Sequence, residues 1–197
     1  MCHTSCDLLN AGTLESNLIP LREWVQGHPF DVVTILLVNS DGVDIGNYTQ
    51  AFMNAGLLPY MYEPPKVPMR LEDWPTLAEM ILTQKRVVAF IDYGADQSTY
   101  PYILEEWTQM WETPFSPTDP AFPCTQQRPT GLPHSDAVDF LYLANHNLNV
   151  QIDFGSINIV IPDYSSLVEV NAVTGNASLG EMAETCVCKS SFTTLER

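Results

Sequence analysis

The sequence predicts an α/β fold in which strands alternate with helices. Three apolar segments, at 32–38, 86–93 and 139–145, have the composition of buried strands, and segments with helical spacing lie before and between them. This alternation implies βαβ units and a parallel sheet. Polar residues follow each of these strands, which is typical of the carboxyl face of a closed (β/α) barrel. An open doubly wound sheet is the alternative, although no Gly-x-Gly-x-x-Gly or Walker motif is present.

The first half of the chain predicts a helix, a strand, a second helix and a short strand. Apolar residues recur every three or four positions from 14 to 25 and predict a helix that ends at Gly27-His28-Pro29. The β-branched run 32–38 shows no alternation, so we expect a strand buried on both faces. A second helix is expected over 45–55 and a short strand over 57–62.

The second half begins with a predicted helix over 74–85, which places Pro75 in the first turn, where its missing N–H costs little. The remaining predicted elements are a strand over 86–93, a helix over 102–111, a short strand over 113–115, a loop over 116–133, and strands over 139–145 and 157–162.

Composition excludes several functional classes. The 197 residues include 24 acidic and 8 basic side chains, which gives a net charge of −16. Nucleic-acid binding and attachment to an anionic membrane both need clustered Lys and Arg, so neither is expected. No apolar stretch reaches the roughly 18 residues of a membrane span. After Met1 we find neither the basic segment nor the apolar segment of a signal peptide.

The cysteines and two glycosylation sequons are typical of an extracellular protein. An odd set of five cysteines leaves one unpaired if the others form disulfides. The set comprises Cys2, Cys6, Cys124, Cys186 and Cys188. The sequons are Asn47-Tyr48-Thr49 and Asn176-Ala177-Ser178. The missing signal peptide conflicts with this interpretation, so either the protein is intracellular or its true N-terminus is absent.

Zinc is the alternative use for the cysteines. Cys2, His3 and Cys6 would then join Cys186 and Cys188 as ligands. Only one residue separates Cys186 from Cys188, whereas zinc knuckles usually have two or more between paired ligands. Disulfides are therefore the favoured interpretation, and the sequence predicts no metal site.

Polar residues at the ends of the predicted strands are candidates for lining a site. The first strong strand leads into Asn39 and Asp41, Asp92 lies near the end of the second, and the third ends at Asn145 and His146. We take Asn39 and Asp92 as candidate substrate-binding residues. The competing interpretation is that such residues only form turns and cap helices.

Several segments resemble one known family. The most distinctive is the opening Cys-His-Thr-Ser-Cys-Asp-Leu-Leu-Asn-Ala-Gly-Thr at 2–13. The other matching segments are 32–39, 86–93, Phe122-Pro123-Cys124 through Arg128-Pro129, 143–149 and Asn171-Ala172-Val173-Thr174-Gly175. Together they resemble fungal secreted proteins of the phosphatidylinositol-phospholipase-C-like phosphodiesterase superfamily, and the resemblance covers most of the chain.

The resemblance implies a distorted (β/α)8 TIM-type barrel that cleaves phosphodiesters with two histidines. One histidine acts as general base on the inositol hydroxyl, and the second protonates the departing alcohol oxygen. Imidazole suits both tasks because its pKa lies near neutrality. By motif position His3 is the second histidine, the general acid. An Arg and Asp residues position the phosphate and the base.

The chain lacks the family segments that carry the first histidine and the phosphate-binding Arg, and it departs from the family after Cys186. We therefore expect an incomplete barrel of one domain over 1–197, without its first two strands and its last strand. A complete barrel of this type runs to about 250 residues. The truncated chain is expected to be inactive, its parent protein extracellular, and its substrate a phosphodiester or phospholipid.

No cofactor is expected. Calcium use stays open, because the animal-type relatives use calcium and the bacterial-type relatives do not. Two alternatives also stay open: a secreted glycoside hydrolase with Asp92 and Glu63 as its carboxylate pair, and a secreted binding protein without catalysis.

Overall fold

Strands and helices alternate along much of the chain and form a mixed α/β fold with small parallel sheets. The computed structural model describes residues 2–3, 5–145, 148–154 and 157–162, and it describes side chains for 10–145 and 148–149. The chain divides into two compact units, Met1–Gln109 and Met110–Arg197. The α/β class predicted from the sequence is confirmed at this level, and the closed barrel stays a prediction.

The first unit carries most of the described helices and strands. In chain order they are β1 (Cys2–His3), β2 (Ser5–Asn10), α1 (Leu14–Gly27), β3 (Val33–Leu37), α2 (Ile45–Asn54), α3 (Leu77–Thr83), β4 (Val87–Ile91) and β5 (Ile103–Glu105). Short 3₁₀ turns occupy Leu58–Tyr60, Leu71–Asp73 and Glu106–Thr108.

A three-stranded parallel sheet is the centre of this unit. Strand β4 lies between β3 and β5, and it pairs with β3 in register from Val33↔Val87 to Leu37↔Ile91. Apolar side chains of β3, β4 and β5 share one core with α1 and α2. Strands β1 and β2 form a separate antiparallel pair.

The helix boundaries follow local capping signals. Thr13 caps α1 by accepting the Ser16 N–H at 3.1 Å, and Asp44 caps α2 by accepting the Gly46 N–H at 2.8 Å. Thr76 and Glu79 form a reciprocal capping box at the start of α3. The helices expected over 14–27 and 45–55 are therefore confirmed to within a residue.

Arg86, which directly precedes β4, joins that strand to the end of α1. Its side chain is buried, and its guanidinium donates to the carbonyl oxygens of Val25, His28 and Asp31 at 2.8–3.0 Å. The last carbonyls of a helix have no partner within the helix. Arg86 satisfies one of these acceptors, the Val25 carbonyl, and also binds the carbonyl of the C-cap residue His28. A buried cation thus lies at the negative end of the helix dipole.

Four expectations that involve the first unit need correction. Strand β3 is covered on one face, because α1 and α2 pack on Val33, Ile35 and Leu37, whereas Thr34 and Leu36 on the opposite face are exposed. Half of the segment expected as a strand over 57–62 is a 3₁₀ turn, since Pro59 cannot donate to a strand ladder. A single bridge, from Met61 to Val87, is all that it adds to the sheet among the described residues.

The helix expected over 74–85 is shorter and begins later. Thr76 is its N-cap, so Pro75 precedes the helix instead of occupying its first turn. Gln84, with a φ of 61°, ends it in the left-handed region.

The predicted strand over 86–93 is confirmed as β4, and every residue of β4 is buried. On the face away from α1 and α2, the Trp74 ring lies 6.0 Å from that of Phe90. The helix expected over 102–111 is wrong, because Ile103–Glu105 pairs with β4 as β5 and Met110–Glu112 pairs with a later strand.

The second unit contains a parallel strand pair and an antiparallel hairpin. Its described elements are β6 (Met110–Glu112), α4 (His134–Ala137), β7 (Leu141–Leu143), β8 (Asn149–Phe154) and β9 (Ile157–Pro162). Strands β6 and β7 are parallel, and β8 pairs with β9 in antiparallel register. Trp111, Ala137 and Phe140 form a small core, and the Trp111 indole donates to the Ala137 carbonyl at 3.1 Å.

The predictions for this unit are partly confirmed. The strand expected over 139–145 is present as the shorter β7, and β9 matches the strand expected over 157–162. The loop over 116–133 is confirmed. The strand expected over 113–115 is wrong, because the strand that pairs with β7 ends one residue earlier, at Glu112. Within the described residues, no helix has the length and apolarity needed to cross a bilayer.

Candidate functional site

The carboxyl ends of β3 and β4 meet at a group of polar side chains in the first unit. The Asp92 N–H donates to the Leu37 carbonyl at 3.1 Å, and the Asn39 N–H donates to Asp92 Oδ1 at 2.6 Å. Asn39 is 3% exposed and Asp92 is 7% exposed. We call Asn39, Asp92 and the adjoining Tyr48 the strand-end cluster.

The side chain of Asn39 uses all of its ordinary hydrogen-bonding capacity. Its Oδ1 accepts the Val43 N–H at 2.8 Å and the Tyr48 hydroxyl at 3.1 Å. Its Nδ2 donates to the carbonyls of Val43 and Tyr93, at 2.9 Å and 3.1 Å. An amide offers two donor hydrogens and two acceptor lone pairs, so these contacts match its full inventory. Asn39 therefore fixes the loop after β3 against the loop after β4.

Gly94 lies directly against this amide. Its φ of +81° is in the left-handed region, and a Cβ at this position would stand 3.2 Å from Asn39 Nδ2. Glycine meets both the conformational and the steric requirement without steric strain. The turn after β4 can thus approach the Asn39 side chain closely.

Asp92 is a nearly buried carboxylate that the main chain holds in place. Among the described residues it forms no ion pair with a lysine or arginine. Its charge affects the neighbouring phenol: burial, then the Asp92 carboxylate and then that of Asp41 raise the pKa of Tyr48 above its ordinary value of 10.0. Near neutral pH the Tyr48 hydroxyl therefore stays protonated and acts as a hydrogen-bond donor.

A second polar group lies at the carboxyl ends of β6 and β7, in the second unit. Glu112 is 1% exposed and accepts from Arg128 Nε through Oε1. Its Oε2 accepts from Asn145 Nδ2 at 2.9 Å. The Arg128 guanidinium also lies 4.9 Å from the centre of the Phe115 ring. We call Glu112, Arg128 and Asn145 the Glu112 cluster.

Main-chain contacts bring the two ends of the loop after β6 together at this cluster. The Glu112 N–H donates to the Arg128 carbonyl and the Gln127 N–H to the Glu112 carbonyl, both at 2.8 Å. Thr113 fixes Asn145, whose N–H donates to Thr113 Oγ1 and whose Nδ2 donates to the Thr113 carbonyl, both at 2.8 Å. A buried carboxylate beside a guanidinium thus closes the neck of a long loop.

Comparison with known proteins gives the chain its family. The sequence model of the family PI-PLC X 1 matches residues 1–194. The chain belongs to the PI-PLC X family. The resemblance drawn from the sequence motifs is therefore confirmed. No solved structure matches the chain.

Two proteins of the fungus Arthroderma benhamiae are similar in sequence to this PI-PLC X chain. An "Uncharacterized secreted protein" is 49% identical over 189 residues, which cover 96% of this chain and 43% of the relative. A "PI-PLC X domain-containing protein 1" is 43% identical over 189 residues, which cover 94% of this chain and 59% of the relative. The chain thus spans less than two thirds of the length of either relative.

The structure brings together two of the three predicted site residues of this PI-PLC X chain. Asn39 and Asp92 are in direct contact. His3 lies on β1, where it pairs with Ser5, and its side chain is outside the described part. His146, Cys186 and Cys188 also lie outside the described residues. In the part that the structure describes, no group of three or more His, Cys, Asp or Glu side chains is placed to hold a metal ion.

Sequence reasoning missed Glu112 and Arg128. Glu112 fell at the boundary between a predicted helix and a predicted strand, so it did not appear to end a strand. Its signal was the same as that of Asp92: an acidic residue that directly follows an apolar segment, Met110-Trp111. Arg128 stood in a matching motif, but nothing in its spacing identified Glu112 as its partner.

Proposed function

We propose that this chain is part of a phosphoric diester hydrolase of the phospholipase C type that acts on lipid substrates. The observation that carries this proposal is the PI-PLC X family match over residues 1–194. The relative named "PI-PLC X domain-containing protein 1" supports it at 43% identity. The same match favours phosphodiester chemistry over glycoside hydrolysis by Asp92 and Glu63, and over a binding role without catalysis.

In this proposal His3 is the general acid. Phosphodiester cleavage needs a proton on the departing alcohol oxygen, and a histidine supplies one efficiently near neutral pH. The matching general base and the phosphate-binding cation would come from segments that this sequence does not contain. The chain as given would therefore lack turnover, and the complete barrel would belong to a longer protein.

Asn39 and Asp92 would serve at the carboxyl edge of that barrel. Asp92 has a carboxylate at the edge where a ligand of such a fold binds. Asn39 has no spare hydrogen-bonding capacity, so we assign it a positioning role: its main-chain N–H holds Asp92 Oδ1 at 2.6 Å. Substrate contact at this edge is thus proposed for Asp92 in preference to Asn39.

We propose an extracellular location for the parent protein. The relative at 49% identity is described as secreted, and the cysteines of the chain are expected to form disulfides, which is typical of oxidising compartments. The pairing of the five cysteines remains a prediction.

The test begins with the gene. The genomic sequence directly upstream of Met1 is expected to encode, in frame, a secretion signal, a histidine at the end of a first strand, and a downstream Arg. An unrelated sequence or a stop codon there would contradict the proposal. The extended protein should then cleave a phosphatidylinositol substrate that the 197-residue chain leaves intact.

His3→Ala in the extended protein should lower turnover by at least about 100-fold, since general acid catalysis contributes 10²–10⁴ in rate. His134→Ala, at the exposed start of α4, is the matched histidine control and should keep full activity. Normal turnover of His3→Ala, measured by release of the water-soluble headgroup, would show that His3 is not the acid.

A further inference from the structure

The sequon at 47–49 lies at the start of α2, where its three side chains differ in their exposure to solvent. Asn47 is exposed, whereas Thr49 is 6% exposed and donates its hydroxyl to the Gly46 carbonyl at 2.9 Å. Tyr48 also points inward, because its hydroxyl donates to Val38 O and Asn39 Oδ1. Within this turn, Asn47 is thus the one sequon residue that faces solvent.

Asn47 also differs from the other asparagines whose side chains are described. Each of those others makes at least one hydrogen bond through its side-chain amide. They are Asn10, Asn17, Asn39, Asn54, Asn145 and Asn149. The side-chain amide of Asn47 makes none among the described residues, and its main-chain N–H donates to Asp44 O at 3.0 Å. Modification of its Nδ2 would break no contact of the described fold.

We propose that Asn47 carries an N-linked oligosaccharide. The Asn47 Nδ2 displaces a lipid diphosphate from the anomeric carbon of a lipid-linked oligosaccharide, supplied by the secretory pathway. A C–N bond forms, the sugar–diphosphate C–O bond breaks, and Nδ2 loses one proton. The proposal rests on the extracellular location proposed above.

The fold can carry this product at little cost. The attached amide keeps one N–H and projects into water from the first turn of α2, so the sugar remains solvated. The inward contacts of Tyr48 and Thr49 are made by other side chains and are unaffected. The helix N-cap is Asp44, so the glycan does not displace the cap.

The experiment expresses the full chain in a glycosylating yeast behind a heterologous secretion leader, with a known glycosylation tag at the C-terminus. The leader separates the test of Asn47 from the native location, and the tag reports entry into the pathway. All variants carry Asn176→Gln, which removes the second sequon. Treatment with an N-glycan amidase should then shift the chain by two glycans, one from the tag and one from Asn47.

Asn47→Gln should lose one of the two shifts, and Thr49→Ala should lose the same one. Thr49→Ser is the matched control, because it keeps the sequon and a hydroxyl near Gly46 O, and it should keep both shifts. The amidase converts a glycosylated Asn47 to Asp, which mass spectrometry of the peptide detects. A chain that shows only the tag shift before Asn47 is changed, or that keeps both shifts in Asn47→Gln, would overturn the proposal.

If the native protein proves intracellular while Asn47 is glycosylated behind the leader, the proposed location fails and with it the glycan on the native chain, and only the acceptor capacity of Asn47 stands. If the native protein is secreted but Asn47 stays unmodified, the location stands and this inference fails.

Discussion

Four hydrogen bonds converge on the side chain of Asn39, and together they join the loop after β3 to the loop after β4. Asn39 is buried, so a smaller side chain would leave main-chain groups of Val43 and Tyr93 without partners. Such unsatisfied groups cost about 1–3 kcal/mol each when water cannot reach them.

Asn39→Ala should therefore lower the free energy of unfolding by about 2–3 kcal/mol. The loss is no larger because some of the main-chain groups that it frees can form hydrogen bonds to water. Urea denaturation of protein made in bacteria, which adds no glycan, measures this change. Asn47→Ala is the matched control, since its exposed amide makes no described hydrogen bond, and it should stay within about 0.5 kcal/mol. Equal loss in both variants would show that the Asn39 network adds no stability.

Sequence reasoning located Asn39 and Asp92 because each directly follows a long apolar strand. It left open whether they bind a ligand or organise turns. The structure shows that the Asn39 side chain organises turns, because all of its hydrogen bonds go to Val43, Tyr48 and Tyr93. Those partners come from three different segments, and no local pattern specifies that they meet.

At the scale of elements, the Glu112 cluster closes the neck of the loop between β6 and α4. The backbone bridge between Glu112 and Arg128 is reinforced by the side-chain ion pair of the same two residues. Glu112 is almost fully buried, whereas Arg128 keeps about a third of its side chain in water, with 32% exposed. Removal of the buried carboxylate charge would leave Arg128 with a weaker partner.

Glu112→Gln is expected to lower the free energy of unfolding by roughly 2–4 kcal/mol. This is somewhat less than the cost of breaking a fully buried ion pair, because Arg128 is partly in water. It should also speed proteolysis within residues 114–127, because the neck of the loop opens more often. Denaturation and limited proteolysis together measure these effects. Lys66→Met removes the ion pair between the exposed Lys66 and Asp73, and it should cost at most about 1 kcal/mol. A neutral Glu112→Gln with unchanged cleavage would contradict a role in closing the loop.

The elements that sequence reasoning found are those with local signals. Helix α1 has a regular apolar stripe and a Thr13 cap, and β4 is a continuous apolar run. The failure at 102–111 has a physical cause: Ile103, Trp107 and Met110 have helical spacing, yet Ile103 pairs with Ala89 of β4 and Met110 with Leu141 of β7. Non-local pairing overrides a weak local preference in segments this short.

At the scale of the whole molecule, alkaline pH is expected to destabilise the fold through its partly buried tyrosines. Burial is the largest cause that raises the pKa of Tyr48, Tyr62 and Tyr102 above 10.0. The negative charge of Asp92 raises the pKa of Tyr48 further, and that of Asp73 does the same for Tyr62. A folded-state pKa above the unfolded value gives stability that is complete below the unfolded pKa and is lost as pH rises through the folded pKa.

The free energy of unfolding should accordingly fall as pH rises above about 10. Tyr48→Phe should make this decline shallower, because one of the three raised groups is gone. It should also lose about 1 kcal/mol near pH 7, because its single hydroxyl proton, which Val38 O and Asn39 Oδ1 share, is removed. Denaturation from pH 7 to 11 measures both effects, and Tyr93→Phe, which changes an exposed ring, is the control. An unchanged alkaline slope in Tyr48→Phe would contradict this explanation.

The close approach of Gly94 to Asn39 limits the order in which this protein can change during evolution. A side chain at position 94 meets two separate penalties, one from the positive φ and one from the amide 3.2 Å away. Replacement of Asn39 first would relieve only the second penalty. The two positions are therefore coupled in one direction: a lineage can lose Asn39 and keep Gly94, but it cannot readily lose Gly94 while Asn39 remains.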